Sequence, residues 1–314
     1  GWCSRQPVVE VRIPGKAWLA YGNLTPQDIA QILDAALTGT LNRHKLICQH
    51  PMDGEESWPG IPEFGRLPWV KGQHRLLTAM SGRIDPSDIG EYIGLGGYAA
   101  LVRAVTSLTS RHLSETIRES GLKGRGGSNF PVADKWAIAK ETPADQRYLI
   151  CNAQDSDPGA YIARELIESH PHQLIEGLAI AGYACGATKA FIVMRQEWRH
   201  AMELLRHALG QAREVGLIGG DVMGSGFRFD IRVFSIPGAA ICGEETALIA
   251  AMEGERGMPR HKPPYPARQG LRGKPTIVHN AETFACLPHI IDKGARYFAS
   301  MGGKRVPGTK LFAL

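Results

Sequence analysis

From residue 147 onward, short runs of hydrophobic residues alternate with longer stretches in which hydrophobic positions recur every three or four residues. The short runs are typical of buried parallel strands, and the longer stretches are typical of amphipathic helices. The predicted strands are 148–151, 190–194, 229–233 and 276–278. The predicted helices are 161–168, 171–185, 198–215, 242–252 and 281–294. Strands separated by helices indicate the α/β class with a largely parallel sheet.

The beginning of the chain follows a different pattern. Residues 8–13 alternate hydrophobic and polar side chains, which predicts a half-buried strand, and 18–21 predict a second strand. Thr25, followed by a proline, marks the start of a helix. We interpret 1–50 as a small module and the proline-rich, polar 51–85 as a linker or strap.

Residues 86–304 are expected to form the main α/β domain, which begins with helices over 86–119. At the other end, 309–314 read as a strand that is cut off in mid-run. We therefore expect 305–314 to be the start of a further segment.

Composition narrows the class of protein. A length of 314 residues suggests about two domains, and 43% hydrophobic residues are enough for a sizeable core. The net charge is 36 − 31 = +5 and no block of like charges stands out, so we expect no nucleic-acid partner. No apolar run reaches about 18 residues, and we expect no transmembrane helix.

The six cysteines lie at least 34 residues apart along the chain. This spacing contains no C-x-x-C pair and no compact metal motif, so we expect no metal site within the chain. Scattered cysteines in a chain of this size indicate reduced thiols. The predicted location is the cytoplasm, or the cytoplasmic face of a membrane complex.

A glycine-rich loop is the strongest chemical signal. Four glycines fall in seven positions, at Gly121, Gly124, Gly126 and Gly127. Glycine lets consecutive backbone N–H groups face a ligand, and such a loop before a helix is an anion site. Lys123, Arg125 and Lys135 add the positive charge that a phosphate requires. The alternative is a tight surface turn, and Asn129 leaves the dinucleotide fingerprint G-x-G-x-x-G incomplete.

Polar residues follow the predicted strands, where α/β proteins bind ligands. Asn152 and Gln154 offer donors and acceptors that match a heterocycle edge such as a flavin pyrimidine. The other candidates of this kind are Asp155, Asp157, Glu244, Glu245, His279 and Asn280. The alternatives are an Asx-rich turn for the aspartates and helix-dipole stabilisation for the glutamates. Lys262 and Tyr265, in the long proline-rich loop 257–276, could clamp a nucleotide.

Six motifs occur in the order of one known family. They are Gly-Leu-Lys-Gly-Arg-Gly-Gly at 121–127, Cys-Asn-Ala with Asp-Pro-Gly at 151–159, Pro-His-Gln-Leu-Ile-Glu-Gly at 171–177, Ile-Cys-Gly-Glu-Glu-Thr-Ala-Leu at 241–248, Lys-Pro-Pro-Tyr-Pro at 262–266, and Gly-Lys-Pro-Thr with Asn-Ala-Glu-Thr at 273–283. Over about 90–300 the chain resembles the NADH-binding flavoprotein subunit of respiratory complex I. The same family includes subunits of NAD-linked formate dehydrogenases, bifurcating hydrogenases and other multi-subunit reductases.

The resemblance implies a Rossmann-like sheet with flanking helices that binds FMN and takes NAD(H) as substrate. It assigns the FMN phosphate to Gly124, Gly126, Gly127 and Lys135, and the flavin to Asn152, Gln154, Gly243, Glu244 and Asn280. Arg125, Asp155 and His279 are further cofactor-binding candidates. NADH would be received by Phe130, Asp157, Glu245, Lys262 and Tyr265, with Glu244 and Glu245 as the predicted catalytic residues. A hydride would pass between nicotinamide and flavin, and single electrons to iron–sulfur clusters.

The ends suggest further similarities. Gly-Trp-Cys at 1–3 resembles the end of a thioredoxin-like [2Fe-2S] domain, so 1–50 is expected to be a partial thioredoxin-like module. Cys3 alone cannot hold a cluster that needs four ligands. Residues 305–314 would begin the family's ubiquitin-like segment. The [4Fe-4S] and [2Fe-2S] clusters are therefore expected in missing segments or in iron–sulfur partner subunits.

Several residues depart from the family pattern. They are Asn129, Ile138, Gln154, Asp157, Ala240 and His279. Ile138 and Ala240 stand where the family has aromatic residues near adenine and flavin, and each lost stack costs about 0.5–1.5 kcal/mol of binding free energy. Three hypotheses follow: a subunit that exchanges a hydride with NAD(H), an FMN electron-transfer subunit that has lost NADH binding, and a cofactor-free scaffold.

Overall fold

A computed structural model of the chain describes residues 3–51, 54–157 and 159–313. The chain divides into two compact units, Gly1–His74 and Arg75–Leu314. The predicted assignments of the ends to thioredoxin-like and ubiquitin-like segments remain predictions.

The first unit contains a three-stranded antiparallel sheet. Its strands are β1 (Val9–Val11), β2 (Trp18–Tyr21) and β3 (Leu46–His50), in the order β1-β2-β3, and helix α1 spans Pro26–Leu37. Thr25 is the N-cap residue of α1, and its backbone N–H donates to Asp28 Oδ2 at 2.6 Å, as in a capping box. The strand β3 has only three hydrophobic residues before polar Gln49, so periodicity did not predict it. Ile61, Leu67 and Val70, from the segment predicted as a linker, are buried in this unit.

The second unit opens with helices. They are α2 (Ile89–Gly94), α3 (Ala99–Ser107), α4 (Ser110–Ser120) and α5 (Val132–Glu141). The glycine-rich loop connects α4 to α5, so it follows a helix, as the sequence predicts. Gly121 ends α4 in the left-handed conformation, with φ +65°, which glycine adopts without strain.

A four-stranded parallel sheet forms the centre of the second unit. Its strands are β4 (Tyr148–Ala153), β5 (Lys189–Arg195), β6 (Asp230–Ile236) and β7 (Thr276–Asn280), in the order β6-β5-β4-β7. The remaining helices are α6 (Ile162–Ser169), α7 (Pro171–Cys185), α8 (Arg199–Glu214), α9 (Glu245–Met252), α10 (Ala281–Lys293) and α11 (Ala295–Ala299). The predicted α/β class with a parallel sheet is confirmed.

The sheet is buried on both faces, which explains its continuous hydrophobic runs. Leu149 of β4 points into a large core shared with α3, α4, α5, α7, α8 and α10. The next residue, Ile150, points into a smaller core on the other face, shared with α9. Successive strand residues alternate in direction, so one strand supplies both cores.

Helices α7 and α10 approach each other closely at Gly177. A Cβ atom at this position would lie 2.1 Å from the carbonyl oxygen of Phe284, so only glycine fits. The contact fixes α10, and with it the junction between β7 and α10, against the core.

The buried carboxylate of Glu176 in α7 binds the start of α3. Its oxygens accept hydrogen bonds from Tyr92 Oη at 2.7 Å and from the backbone N–H groups of Tyr98 and Leu101, each at 3.0 Å. The first N–H groups of a helix lack partners within the helix, and a carboxylate is favoured there. Glu176 therefore ties α7 to α3.

The strand predicted at the end of the chain is wrong for 309–313. In the part of the chain that the structure describes, these residues pair with no strand; residue 314 lies outside it. The short hairpin of β8 (Gly302–Gly303) and β9 (Val306–Pro307) comes earlier. The backbone N–H of Leu311 donates instead to Glu282 Oε1 at 3.0 Å, so a side chain takes the bond that a strand would have made.

Among the described helices, none combines the length and the hydrophobicity that crossing a bilayer demands.

We expect Glu176→Ala to lower the free energy of unfolding by about 3 kcal/mol or more, because buried donors on Tyr92, Tyr98 and Leu101 lose their acceptor. Urea denaturation of the full chain measures the change. Glu115→Ala is the control, because Glu115 pairs with Arg111 on the exposed surface of α4 and should leave the free energy of unfolding nearly unchanged. Equal losses for the two variants would contradict this role of Glu176.

Candidate functional site

The candidate site lies at the carboxyl ends of the parallel strands. Asn152, near the end of β4, stands in register with Asn280, the last residue of β7. The loop after β4 and the turn after β6 meet here, since a Cβ on Gly243 would lie 3.2 Å from Ser156 Oγ. Ligands of open α/β sheets bind at this edge.

The glycine-rich loop is closed at its base by two hydrogen bonds. The N–H of Gly124 donates to Phe130 O at 2.9 Å, and the N–H of Val132 donates to Leu122 O at 3.1 Å. Gly127 and Asn129 take positive φ angles of 100° and 52°. A Cβ atom on Gly126 or Gly127 would meet no atom within 4 Å. The tip of the loop therefore faces open space with its backbone exposed.

The loop rests on the junction between β7 and α10. The N–H of Arg125 donates to Thr283 Oγ1 at 3.0 Å, and Thr283 Oγ1 in turn donates to Asn280 Oδ1 at 2.5 Å. Asn280 also caps α10, accepting from Thr283 N at 3.2 Å. A Cβ on Gly124 would lie 4.0 Å from His279 Nδ1. Four predicted site residues thus meet at this junction.

Two lysines and two glutamates form a connected charge network. Lys135 Nζ, from α5, lies 3.0 Å from Glu245 Oε2 and donates to Val278 O at 3.2 Å. Lys262 Nζ, from the proline-rich loop, lies 2.8 Å from Glu244 Oε1 and 3.7 Å from Glu245 Oε1. The network joins the proline-rich loop and the start of α9 to Lys135, which lies 110 residues before Glu245.

Glu244, the N-cap residue of α9, is held in its charged form. Burial by itself would raise the pKa of Glu244, but hydrogen bonds from Lys262, Thr246 and the Ala247 N–H outweigh burial and keep the pKa below its ordinary value. The same bond to Glu244 raises the pKa of Lys262. Both groups are therefore ionised at neutral pH.

Three predicted residues lie around the end of β4. Asn152 Nδ2 donates to Cys242 O at 3.0 Å and so fastens β4 to the turn after β6. Gln154 is fully buried, and within the described residues neither atom of its side-chain amide has a hydrogen-bond partner. Asp155 caps α6, accepting from Ala163 N at 2.8 Å and Arg164 N at 3.1 Å, as the alternative interpretation of this turn expects.

His279 is buried against Phe284, with ring centroids 5.6 Å apart. Burial lowers the pKa of His279 well below its ordinary value, so the ring is neutral at physiological pH. A neutral ring beneath the loop adds no positive charge for a phosphate.

The side chain of Arg125 contacts α10 and the end of the chain. It is 3% exposed, and its Nε lies 3.8 Å from Oε1 of Glu282, whose side chain is 4% exposed. Nη2 of Arg125 donates to Pro307 O at 2.9 Å. The backbone of Arg125 is thus part of the loop, while its charge faces Glu282.

The residues predicted to receive NADH fall into two groups. Glu245 and Lys262 belong to the charge network. Phe130 and Tyr265 are 42% and 56% exposed, and Asp157 is also exposed. No ion pair or hydrogen bond found among the described side chains joins these three to the network.

Two residues at the site were not predicted from the sequence. Thr283 links the loop to Asn280, and its position three residues after an N-cap asparagine was a usable signal. Arg195 ends β5 and donates from Nε to Gln154 O at 2.8 Å. A charged residue at the carboxyl end of a buried strand was the available signal there.

The described part of the chain contains no group of three or more His, Cys, Asp or Glu side chains that could hold a metal ion. Cys48, Cys151, Cys185, Cys242 and Cys286 are free and buried.

Residues 117–289 match the family Complex1_51K, described as the Nuo51 FMN-binding domain. The matched region contains the glycine-rich loop, all four strands of the parallel sheet and the charge network.

Curated relatives support the same family. The NADP-reducing hydrogenase subunit HndC of Solidesulfovibrio fructosivorans is 47% identical over 244 residues, which are 78% of this chain and 49% of that protein. An NADH-quinone oxidoreductase subunit of Aquifex aeolicus (strain VF5) is 42% identical over 256 residues, which are 82% of this chain and 59% of that protein. The chain thus spans about half the length of these relatives.

A solved structure shares the fold. The crystal structure of an NAD+-reducing [NiFe]-hydrogenase in the H2-reduced state matches with a TM-score of 0.63 and 26% sequence identity. The match covers 92% of this chain and 45% of that chain.

The pH dependence of stability should report on Glu282. Burial raises the pKa of Glu282 from 4.5 to about 7, although Leu311 N–H, Arg125 and Lys310 oppose the shift. Between these values the folded chain holds a proton that the unfolded chain has released, so the free energy of unfolding falls as pH rises.

We expect the wild type to lose about 2–3 kcal/mol more than Glu282→Gln when the pH is raised from 4.5 to 7.5. Urea denaturation at a series of pH values measures this difference. Parallel pH profiles for the two proteins would show that Glu282 does not titrate in this range.

Proposed function

The chain belongs to the Complex1_51K family of FMN-binding domains, and from this premise we propose that it binds FMN and exchanges a hydride with NAD(H). In this proposal it is the diaphorase-type subunit of a multi-subunit oxidoreductase and passes electrons to iron–sulfur partner subunits. Its proposed location is the cytoplasm or the cytoplasmic face of a membrane complex.

The observation that carries the proposal is the open side of the glycine-rich loop. Gly126 and Gly127 present backbone to open space, where a Cβ would have no atom within 4 Å beyond its own chain neighbours. Lys135 supplies a cation on the helix that begins directly after the loop. Exposed N–H groups, a helix start and a lysine together favour a phosphate.

The buried amide of Gln154 supports a heterocycle at the same edge. A buried amide without partners is unfavourable, by about 1–3 kcal/mol for each unpaired group. The pyrimidine edge of a flavin carries both donors and acceptors that match both amide atoms. Because Gln154 is fully buried, the loop after β4 must move before a flavin can reach them. Asn152, Gly243, Glu244 and Asn280 would line the ring from the neighbouring strand ends.

When bound, FMN supplies a group that takes two electrons as a hydride and returns them one at a time. The protein's contribution is binding and orientation. Glu244 stays ionised at neutral pH and caps α9, so it holds charge and geometry instead of donating a proton. We infer that Glu245 and Lys262 orient the dinucleotide, with Phe130, Asp157 and Tyr265 as exposed surface for its outer part.

A second candidate is an FMN subunit that receives electrons from another partner. Two positions favour it. Ala240 is exposed and offers no ring to a ligand. Ile138, which stands where the family has an aromatic residue near adenine, packs against the large core of the second unit and offers no ring to a dinucleotide. A cofactor-free scaffold is the weakest candidate, because it gives no reason for the open loop or for the unpaired amide of Gln154.

Anaerobic titration with NADH distinguishes these candidates. We expect the purified protein to show flavin absorbance that NADH bleaches at about one equivalent per flavin. Bleaching by dithionite but not by NADH would favour the second candidate. A protein that neither carries nor takes up FMN would support the scaffold.

Lys135→Gln should weaken FMN binding by about tenfold to a hundredfold, because a charge-assisted bond to the phosphate is lost. Riboflavin, which has no phosphate, should bind both proteins equally. Quenching of flavin fluorescence measures the affinities. Lys140→Gln is the matched control: Lys140 lies on the same helix but bonds to Ser110 Oγ at 3.3 Å. Equal effects of Lys135→Gln on both flavins would place the phosphate elsewhere.

A further inference from the structure

Arg125 is attached to the start of α10 at two points. Its backbone N–H binds Thr283 Oγ1, and its guanidinium faces the adjacent Glu282. Since Gly124 and Gly126 flank Arg125, these two contacts fix the residue at the centre of the glycine-rich loop.

Arg125 and Glu282 also bind the segment 305–311. Glu282 Oε1 accepts the N–H of Leu311 at 3.0 Å, and Arg125 Nη2 donates to Pro307 O at 2.9 Å. Close packing accompanies these bonds. A Cβ on Gly308 would lie 2.2 Å from the Phe298 ring and 2.9 Å from Arg125 Nη2. A third tie joins Lys123 Nζ to Arg305 O at 2.9 Å.

Burying two charges is costly, and a buried ion pair is weak support for stability in itself. Within the described residues, Arg125 Nε and Nη1 have no hydrogen-bond partner, so charge pairing with Glu282 and the bond to Pro307 hold the guanidinium. An arrangement of this cost is best explained by the geometry that it imposes on the loop.

We propose that Arg125 and Glu282 are positioning residues that set the shape of the glycine-rich loop and thereby its affinity for the FMN phosphate. The inference rests on the proposed function, because FMN is the ligand. Arg125 acts in it through its attachment to α10 and to 305–311. The alternative is that the Arg125 side chain is itself a phosphate ligand.

The variant Glu282→Gln separates these two roles by the sign of its effect. The glutamine oxygen can still accept the N–H of Leu311, so only the charge opposite Arg125 is lost. If Arg125 positions the loop, FMN affinity should fall about tenfold while riboflavin affinity stays within about twofold. If Arg125 is a phosphate ligand, release from Glu282 should leave FMN affinity unchanged or raise it.

The measurement is flavin fluorescence quenching on the full 314-residue chain, at a pH of about 8 and with thermal unfolding recorded for each variant. Asp134→Asn is the matched control, since it also changes a carboxylate to an amide beside the loop. Asp134 lies 3.4 Å from Arg118 in an exposed pair, and this variant should bind FMN as the wild type does. Arg125→Lys keeps the positive charge, but a lysine ammonium cannot contact both Glu282 and Pro307 O as the guanidinium does. This variant should bind FMN about as weakly as Glu282→Gln.

Unchanged or tighter FMN binding by Glu282→Gln would overturn the inference and leave the proposed function standing. Equal losses of FMN and riboflavin affinity would also overturn it, because the pair would then act on the fold as a whole. A wild-type chain that binds neither flavin would overturn the proposed function, and this inference with it.

Discussion

The parallel pairing of β4 with β7 is the constraint on which the site depends. Their register places Asn152 beside Asn280, and the residues after each strand then emerge at one edge of the sheet. Parallel strands cannot be joined by a tight turn, so the helices that connect them must pack on the two faces. The Gly177 contact between α7 and α10 contributes to this packing. The rigid core therefore positions a site built from loops.

The charged side chains around this edge form two groups that differ in burial. Lys135, Glu245, Lys262 and Glu244 are partly exposed and share partners, so their pairing can be exchanged for a ligand's charges at modest cost. Arg125 and Glu282 are almost completely buried, and breaking that pair would leave a charge without solvent. We propose a ligand-binding role for the first group and a positioning role for the second.

Much of the fold and part of the site could be predicted from local sequence. The hydrophobic runs of β4 and β5 and the amphipathic pattern of α8 identified their elements, because period and burial are local properties. The strand β3 was not predicted, because its apolar run is too short to indicate a strand without knowledge of its pairing with β2. The strand expected over 309–314 failed because Glu282 takes the N–H of Leu311. Asp155 caps α6. Its local sequence was compatible with this role and with cofactor binding, and could not decide between them.

The sequence by itself determined the α/β class, the glycine-rich loop and the family, because each depends on residue types in a short order along the chain. Only the tertiary structure decided which charges meet. Lys135 lies 110 residues from Glu245, and Arg125 lies 157 residues from Glu282. Partners at such separations are set by strand order, register and helix packing. The structure alone therefore shows that Lys135 pairs with Glu245 at the edge of the sheet, whereas the guanidinium of Arg125 faces the buried Glu282.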